Sequence, residues 1–211
     1  MNAGARPSVT DRSRPWRIVL AALGAMWALV TLPLTLSVWK PGPWLWIDDI
    51  YDIPGYAAAR EWAGDPYVVF GALASVSFLA IGAAFFADLR RARWGGIVMA
   101  WLILAGAPIT AISYINTPVD APLHFLWGAE AFILIAIGLS GLLAAFSAGS
   151  PWTSGAKTLL GLTLLIVFVG TVALGYYPHG SLVALGAEAA IVIAIAPRDR
   201  AFAESQASVV P

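Results

Sequence analysis

The sequence predicts an all-α membrane protein: a bundle of six transmembrane helices, read further as three helical hairpins in parallel repeat. Three observations predict it. The chain of 211 residues is 60% hydrophobic and only 11% charged, against roughly 25% charged in a typical soluble domain. Six apolar runs approach or exceed the roughly 20 residues a helix needs to cross a hydrocarbon core about 30 Å thick. Ten of the twelve lysines and arginines fall on alternate connections between those runs. So little charge cannot cover a water-facing surface, which excludes the soluble, disordered, collagen-like and nucleic-acid-binding classes. Cysteine is absent, so disulfide frameworks, zinc–thiolate sites and thiol catalysis are excluded as well.

The first run, Arg17–Val38, follows a basic lead. It is too long for a signal-peptide core, and its exit, Leu36-Ser37-Val38-Trp39-Lys40-Pro41, offers no small-x-small cleavage site. It is read as a retained signal anchor. The long connection 39–66 is broken early by Pro41, Pro43 and Pro54. Within it Ile53–Ala63 suits a short helix with Trp62 at the interface. The loop serves either as a tryptophan belt or as a lid over a site opening outwards. The next four runs are Tyr67–Ala87, Gly95–Ile115, Pro122–Phe146 and Lys157–Tyr177. The last, Gly180–Pro197, has 18 residues, enough to span with little tilt. All are continuously apolar rather than alternating, which argues against a closed barrel. The domain reading is therefore a tail at 1–15, one transmembrane domain at 16–197 with its outer loop 39–66, and a tail at 198–211.

Charge then predicts direction. Arg6, Arg12, Arg14, Arg17, Arg90, Arg91, Arg93, Lys157, Arg198 and Arg200 fall on one side, and only Lys40 and Arg60 on the other. Positive charge is retained on the cytoplasmic side, so both termini are expected there. The acidic residues Asp48, Asp49, Asp52, Glu61 and Asp65 are then outside. Arginine outnumbers lysine ten to two and alanine is abundant, which suggests a GC-rich bacterial genome and hence a bacterial plasma (inner) membrane.

Gly128–Ile137 reads GAEAFILIAI and Gly186–Ile195 reads GAEAAIVIAI, eight of ten positions matching at an offset of 58. Each follows a proline-containing turn. The match implies three hairpins in parallel repeat; the competing reading is that alanine-rich membrane helices resemble one another. Two small-residue stripes, Gly186/Ala190/Ala194 and Ala136/Ser140/Ala144, allow close helix approach. Pro33 and Pro108 are candidate kinks.

Glu130 and Glu188 carry the functional expectation. Each lies about eight residues past its expected helix start, roughly 12 Å along the axis, so the two are expected at similar depth. A carboxylate there costs on the order of 2.5–3.5 kcal/mol on insertion scales. Each must face the bundle or a wet cavity, or take up a proton. Both are expected to point inwards, towards hydroxyls offered by Thr31, Thr35, Ser75, Ser77 and Thr110. Two readings stay open: a working intramembrane carboxyl pair, or two neutral acids acting as interhelical glue.

Asp120, His124, His179, Tyr114 and Asn116 form a second candidate group at the outer mouth. Neither histidine stands at i, i+3 or i, i+4 from a glutamate, the spacing of helical ligand pairs. No metal site and no cofactor are expected.

The layout is similar to that of bacterial six-helix inner-membrane protein families without an assigned activity. The resemblance rests on the basic start, the acidic first outer loop and the stretch Pro118-Val119-Asp120-Ala121-Pro122-Leu123-His124. It implies the fold and transfers no chemistry. Three functions remain open: a small transporter-like or ligand-binding bundle using Glu130 and Glu188; an accessory or assembly subunit of a membrane complex; and a lipid-modifying enzyme using Asp120, His124 and His179. The expected partners are the lipid bilayer and a membrane-protein partner or second copy, with no nucleic acid.

Overall fold

A computed structural model describes residues 9–36, 50 and 53–197. Every regular element among these residues is helical. In chain order they are α1 (Val9–Thr35), α2 (Pro54–Ala63), α3 (Pro66–Leu73), α4 (Ser75–Arg91), α5 (Arg93–Ile115), a 3-10 turn at His124–Leu126, α6 (Ala129–Ser147), α7 (Ser154–Gly161), α8 (Thr163–Leu174) and α9 (His179–Ile195). Four stretches are long and apolar enough to cross a membrane: Ser13–Thr35, Pro66–Arg91, Arg93–Ile115 and His124–Ser147. A fifth arises if α7 and α8, bent by 58° at Leu162, count as one broken span. α9 is apolar but has only 17 residues.

The boundaries differ from the hydropathy reading for local reasons. α1 starts before the apolar run because Arg14 reaches the open end of α9: its guanidinium donates to the carbonyls of Ala196 at 2.9 Å and Ala194 at 3.3 Å. Those are carbonyls that no α9 amide can satisfy. α3 and α4 meet at Ala74, which stays in the right-handed helical region. There the Trp27 indole donates to the Leu73 carbonyl at 2.9 Å. α1 runs through Pro33, and α5 through Pro108. The expected helix over Lys157–Tyr177 is two helices, a break that no proline announces. The expected short helix of the outer loop is present as Pro54–Ala63. Trp39, Trp44 and Trp46, on which the belt and lid readings depend, lie outside the described residues.

α1 packs on α9 and α4, and α5 packs on α4 and α6, while α8 lies between α6 and α9. The core holds Phe78, Ile81, Phe85, Met99, Ile103, Ile137 and Leu182, all fully buried. The outer surface is just as apolar: Leu23, Met26, Trp101, Phe132, Phe146 and Phe168 are exposed, while Asp88, Glu130, His179 and Glu188 are buried. A water-soluble fold reverses that arrangement; a bundle solvated by lipid requires it.

The small-residue stripes are partly spent inside the chain. A methyl group on Gly186 would press on Ala25 and the Ala21 carbonyl of α1. Ser140 and Ala144 are buried, but Ala194 is exposed. The matched decapeptides occupy different places in their helices. Gly128 adopts a left-handed conformation (φ 85°) immediately before α6, so Glu130 stands in the first turn. Gly186 and Glu188 lie in the middle of α9. Glu130 is thus the seventh residue of the apolar stretch His124–Ser147, and Glu188 the tenth of α9.

Candidate functional site

One end of the bundle is organised by arginine. Asp88 near the end of α4 is fully buried, and it accepts from Arg17 Nη1 of α1 and from Arg91 Nη1 at 3.2 Å. With Arg14 on the α9 carbonyls, this cluster gathers the start of α1, the α4–α5 turn and the end of α9 at one end. The Trp152 indole donates to the Arg91 carbonyl and adds the α6–α7 connection to the same end. Sequence reasoning missed Asp88. Its signal was an acid directly after the apolar run Tyr67–Ala87 and three residues before Arg91.

The opposite end collects aromatic and polar side chains. The hydroxyls of Tyr114 (α5) and Tyr176 lie 2.8 Å apart. Tyr67 of α3 stacks obliquely on Tyr114, with ring centroids 5.1 Å apart. Tyr176 sits against the ring of His179, whose Nε2 is 3.1 Å from Thr35 Oγ1 of α1. Two members of the expected outer-mouth group, Tyr114 and His179, are thus joined through Tyr176. Two others form a separate brace: His124 Nδ1 lies 3.1 Å from the Asn116 carbonyl, and Asn116 Oδ1 accepts from the Leu123 amide. Asp120 is exposed. His124 and His179 therefore serve different partners. Among the described residues no three His, Cys, Asp or Glu side chains converge as metal ligands would.

Both glutamates point inwards, each 2% exposed. Their partners are not the expected ones. Thr31 and Thr35 bond back to carbonyls of their own helix, the ordinary fate of hydroxyls in membrane helices. Glu130 is instead paired with Ser113 of α5. Ser113 also accepts from the Gly128 amide at 2.9 Å, which fixes the start of α6. Glu188 Oε1 accepts from Thr163 Oγ1 of α8 at 2.7 Å. In each carboxyl Oε2 is buried without a hydrogen-bond partner.

The two carboxyls have different partners: Ser113 of α5 for Glu130 and Thr163 of α8 for Glu188. Both members of the expected intramembrane pair are buried, Glu130 at the start of α6 and Glu188 beside the α7–α8 break. Thr163 had no sequence signal, because it lies 25 residues from its partner.

An α-helical bundle with an apolar exterior and, among the described residues, the buried carboxyls Asp88, Glu130 and Glu188 defines the class, that of membrane-type helical proteins. No family model matches the chain, and neither the curated proteins nor the solved structures contain a match.

Proposed function

We propose that the chain is a six-span membrane protein of the transporter-like or ligand-binding kind, in which Glu130 exchanges a proton at the aromatic end of the bundle. One observation carries this reading: a buried carboxyl with one oxygen unpartnered, next to a hydroxyl-bearing cluster that reaches from α1 to α9. An intramembrane carboxyl is expensive unless it is used or fully bonded, and Glu130 is not fully bonded. In this reading α9 is the sixth span, the arginine end is cytoplasmic by the positive-inside bias, and the tyrosine end faces outwards.

The direct test uses purified protein in liposomes with a trapped pH-sensitive dye and a potassium–valinomycin potential. The intact chain is expected to admit protons above the protein-free rate. Glu130→Gln keeps the shape and hydrogen bonding of the side chain, so it is expected to fold normally and reduce the flux to the protein-free level. Flux in Glu130→Gln equal to that of the intact chain rejects the proposal.

Topology is tested separately. A reporter active only in the cytoplasm is expected to be on when fused after Arg93 and off when fused after Gly64, Val119 or Pro178. A signal from the Gly64 fusion rejects the six-span arrangement.

A further inference from the structure

The α7–α8 break brings together oxygens from three directions. α7 ends at Gly161 and α8 begins at Thr163, at an angle of 58°. Thr163 is fully buried, and its Oγ1 lies 2.7 Å from Glu188 Oε1 and 2.7 Å from the Leu160 carbonyl. A hydroxyl has one hydrogen, so it serves one of these acceptors at a time. Glu188 Oε2 is buried beside them with no donor. Gly141 of α6 closes the fourth side. A methyl group there would run into the Leu160 carbonyl and Thr163 Oγ1, so the close approach requires glycine.

The Leu162 amide is directed at the Thr158, Leu159 and Leu160 carbonyls, so the hydrogen that Glu188 accepts comes from Thr163 alone, and its Oε2 is left without a donor. Two carboxylate oxygens, a hydroxyl and a main-chain carbonyl are hard ligands of the type that binds alkali and alkaline-earth cations. Charge selects among those cations. A monovalent ion neutralises the single carboxylate, whereas a divalent ion leaves net charge in an apolar interior, where it is costly. Interrupted membrane helices hold cations by the same combination of freed carbonyls and side-chain oxygens.

We infer that Glu188, Thr163 and the Leu160 carbonyl form a sodium-sized monovalent cation site at the α7–α8 break. The inference rests on the ligand-binding reading above but uses residues separate from Glu130. It names the ligand class for the second carboxyl and gives the break a purpose.

The test compares thermal unfolding of the purified chain in sodium chloride and in choline chloride at equal ionic strength, together with binding of radioactive sodium. Sodium is expected to raise the unfolding midpoint with the logarithm of its concentration, by roughly 5–10 °C once it exceeds its dissociation constant about a hundredfold. Binding is expected to reach one ion per chain. Glu188→Gln and Thr163→Val are expected to lose both effects, while Thr163→Ser and Glu130→Gln keep them.

Equal midpoints in the two salts and no bound sodium in the intact chain overturn the site. Glu188 is then a neutral acid donating to Thr163. That result needs no variant, so a variant that fails to fold does not shelter the inference. Sodium binding without proton flux upholds the site and rejects the Glu130 reading; flux without sodium binding does the reverse.

Discussion

Asp88→Ala is expected to destabilise the bundle by about 3 kcal/mol, the low end of the range for breaking a buried ion pair. Asp88 is fully buried and holds Arg17 and Arg91, whose side chains are 12% and 17% exposed. Removing the acid leaves two guanidiniums facing one another in a low-dielectric region. Their residual exposure allows partial escape to the interface, which is why the low end applies. Asp88→Asn keeps an acceptor and is expected to cost less. In a double-mutant cycle with Arg17→Ala, the two losses are expected to sum to more than the double variant shows, because they break the same contact. Unfolding by denaturing detergent in mixed micelles measures all four species. A cost below about 0.5 kcal/mol for Asp88→Ala, the usual range for an unengaged surface site, would mean that the cluster does not hold α1 to α4.

The second large effect is expected at the α8–α9 hairpin. A Cβ on Gly170 would strike the Gly180 carbonyl and Ala184, and a Cβ on Gly180 would strike the Gly170 carbonyl. Each glycine therefore sets how closely the two helices approach. Gly180→Val forces a backbone shift and is expected to cost at least the roughly 1–3 kcal/mol typical of overpacking. Gly170→Val is expected to do the same. The double variant is expected to cost less than the sum, since the first substitution already separates the helices. The control is Gly155→Ala in α7, where an added methyl meets only Ile195 Cδ1 at 3.8 Å. It is expected to be neutral or slightly stabilising through helix propensity. Additive losses at 170 and 180 would show that the two glycines do not share one contact.

Both effects lie at places that hydropathy does not mark. Asp88 stands just past the apolar run Tyr67–Ala87, among the residues of a charged connection, and its second arginine, Arg17, lies 71 residues away. Gly170 and Gly180 read as ordinary members of apolar segments. The break at Leu162 was equally silent, because a helix can be interrupted by packing against Gly141 and Glu188 without a proline. The equivalence of Glu130 and Glu188 was inferred from matching letters. The two segments differ locally: Gly128 adopts a left-handed conformation just before α6, while the matching Gly186 is held inside α9 by contact with α1.

What the sequence determined by itself is the helical, lipid-compatible character of the chain, the approximate extent of its apolar runs, and the burial of both glutamates. These follow from transfer energies that each segment carries alone: apolar residues belong in hydrocarbon, backbone polar groups must bond within a helix, and a carboxyl avoids lipid. What only the tertiary structure decided is who bonds to whom: Ser113 beside Glu130, Thr163 with Glu188, Asp88 with Arg17, and Thr35 with His179. Such pairings depend on the rotation of each helix about its axis and on close approaches set by single glycines. An apolar surface on every side of a segment fixes that rotation only weakly, because lipid accepts almost any face. The buried polar contacts then select one rotation, since every alternative leaves a charge or an acceptor unsatisfied inside the bundle.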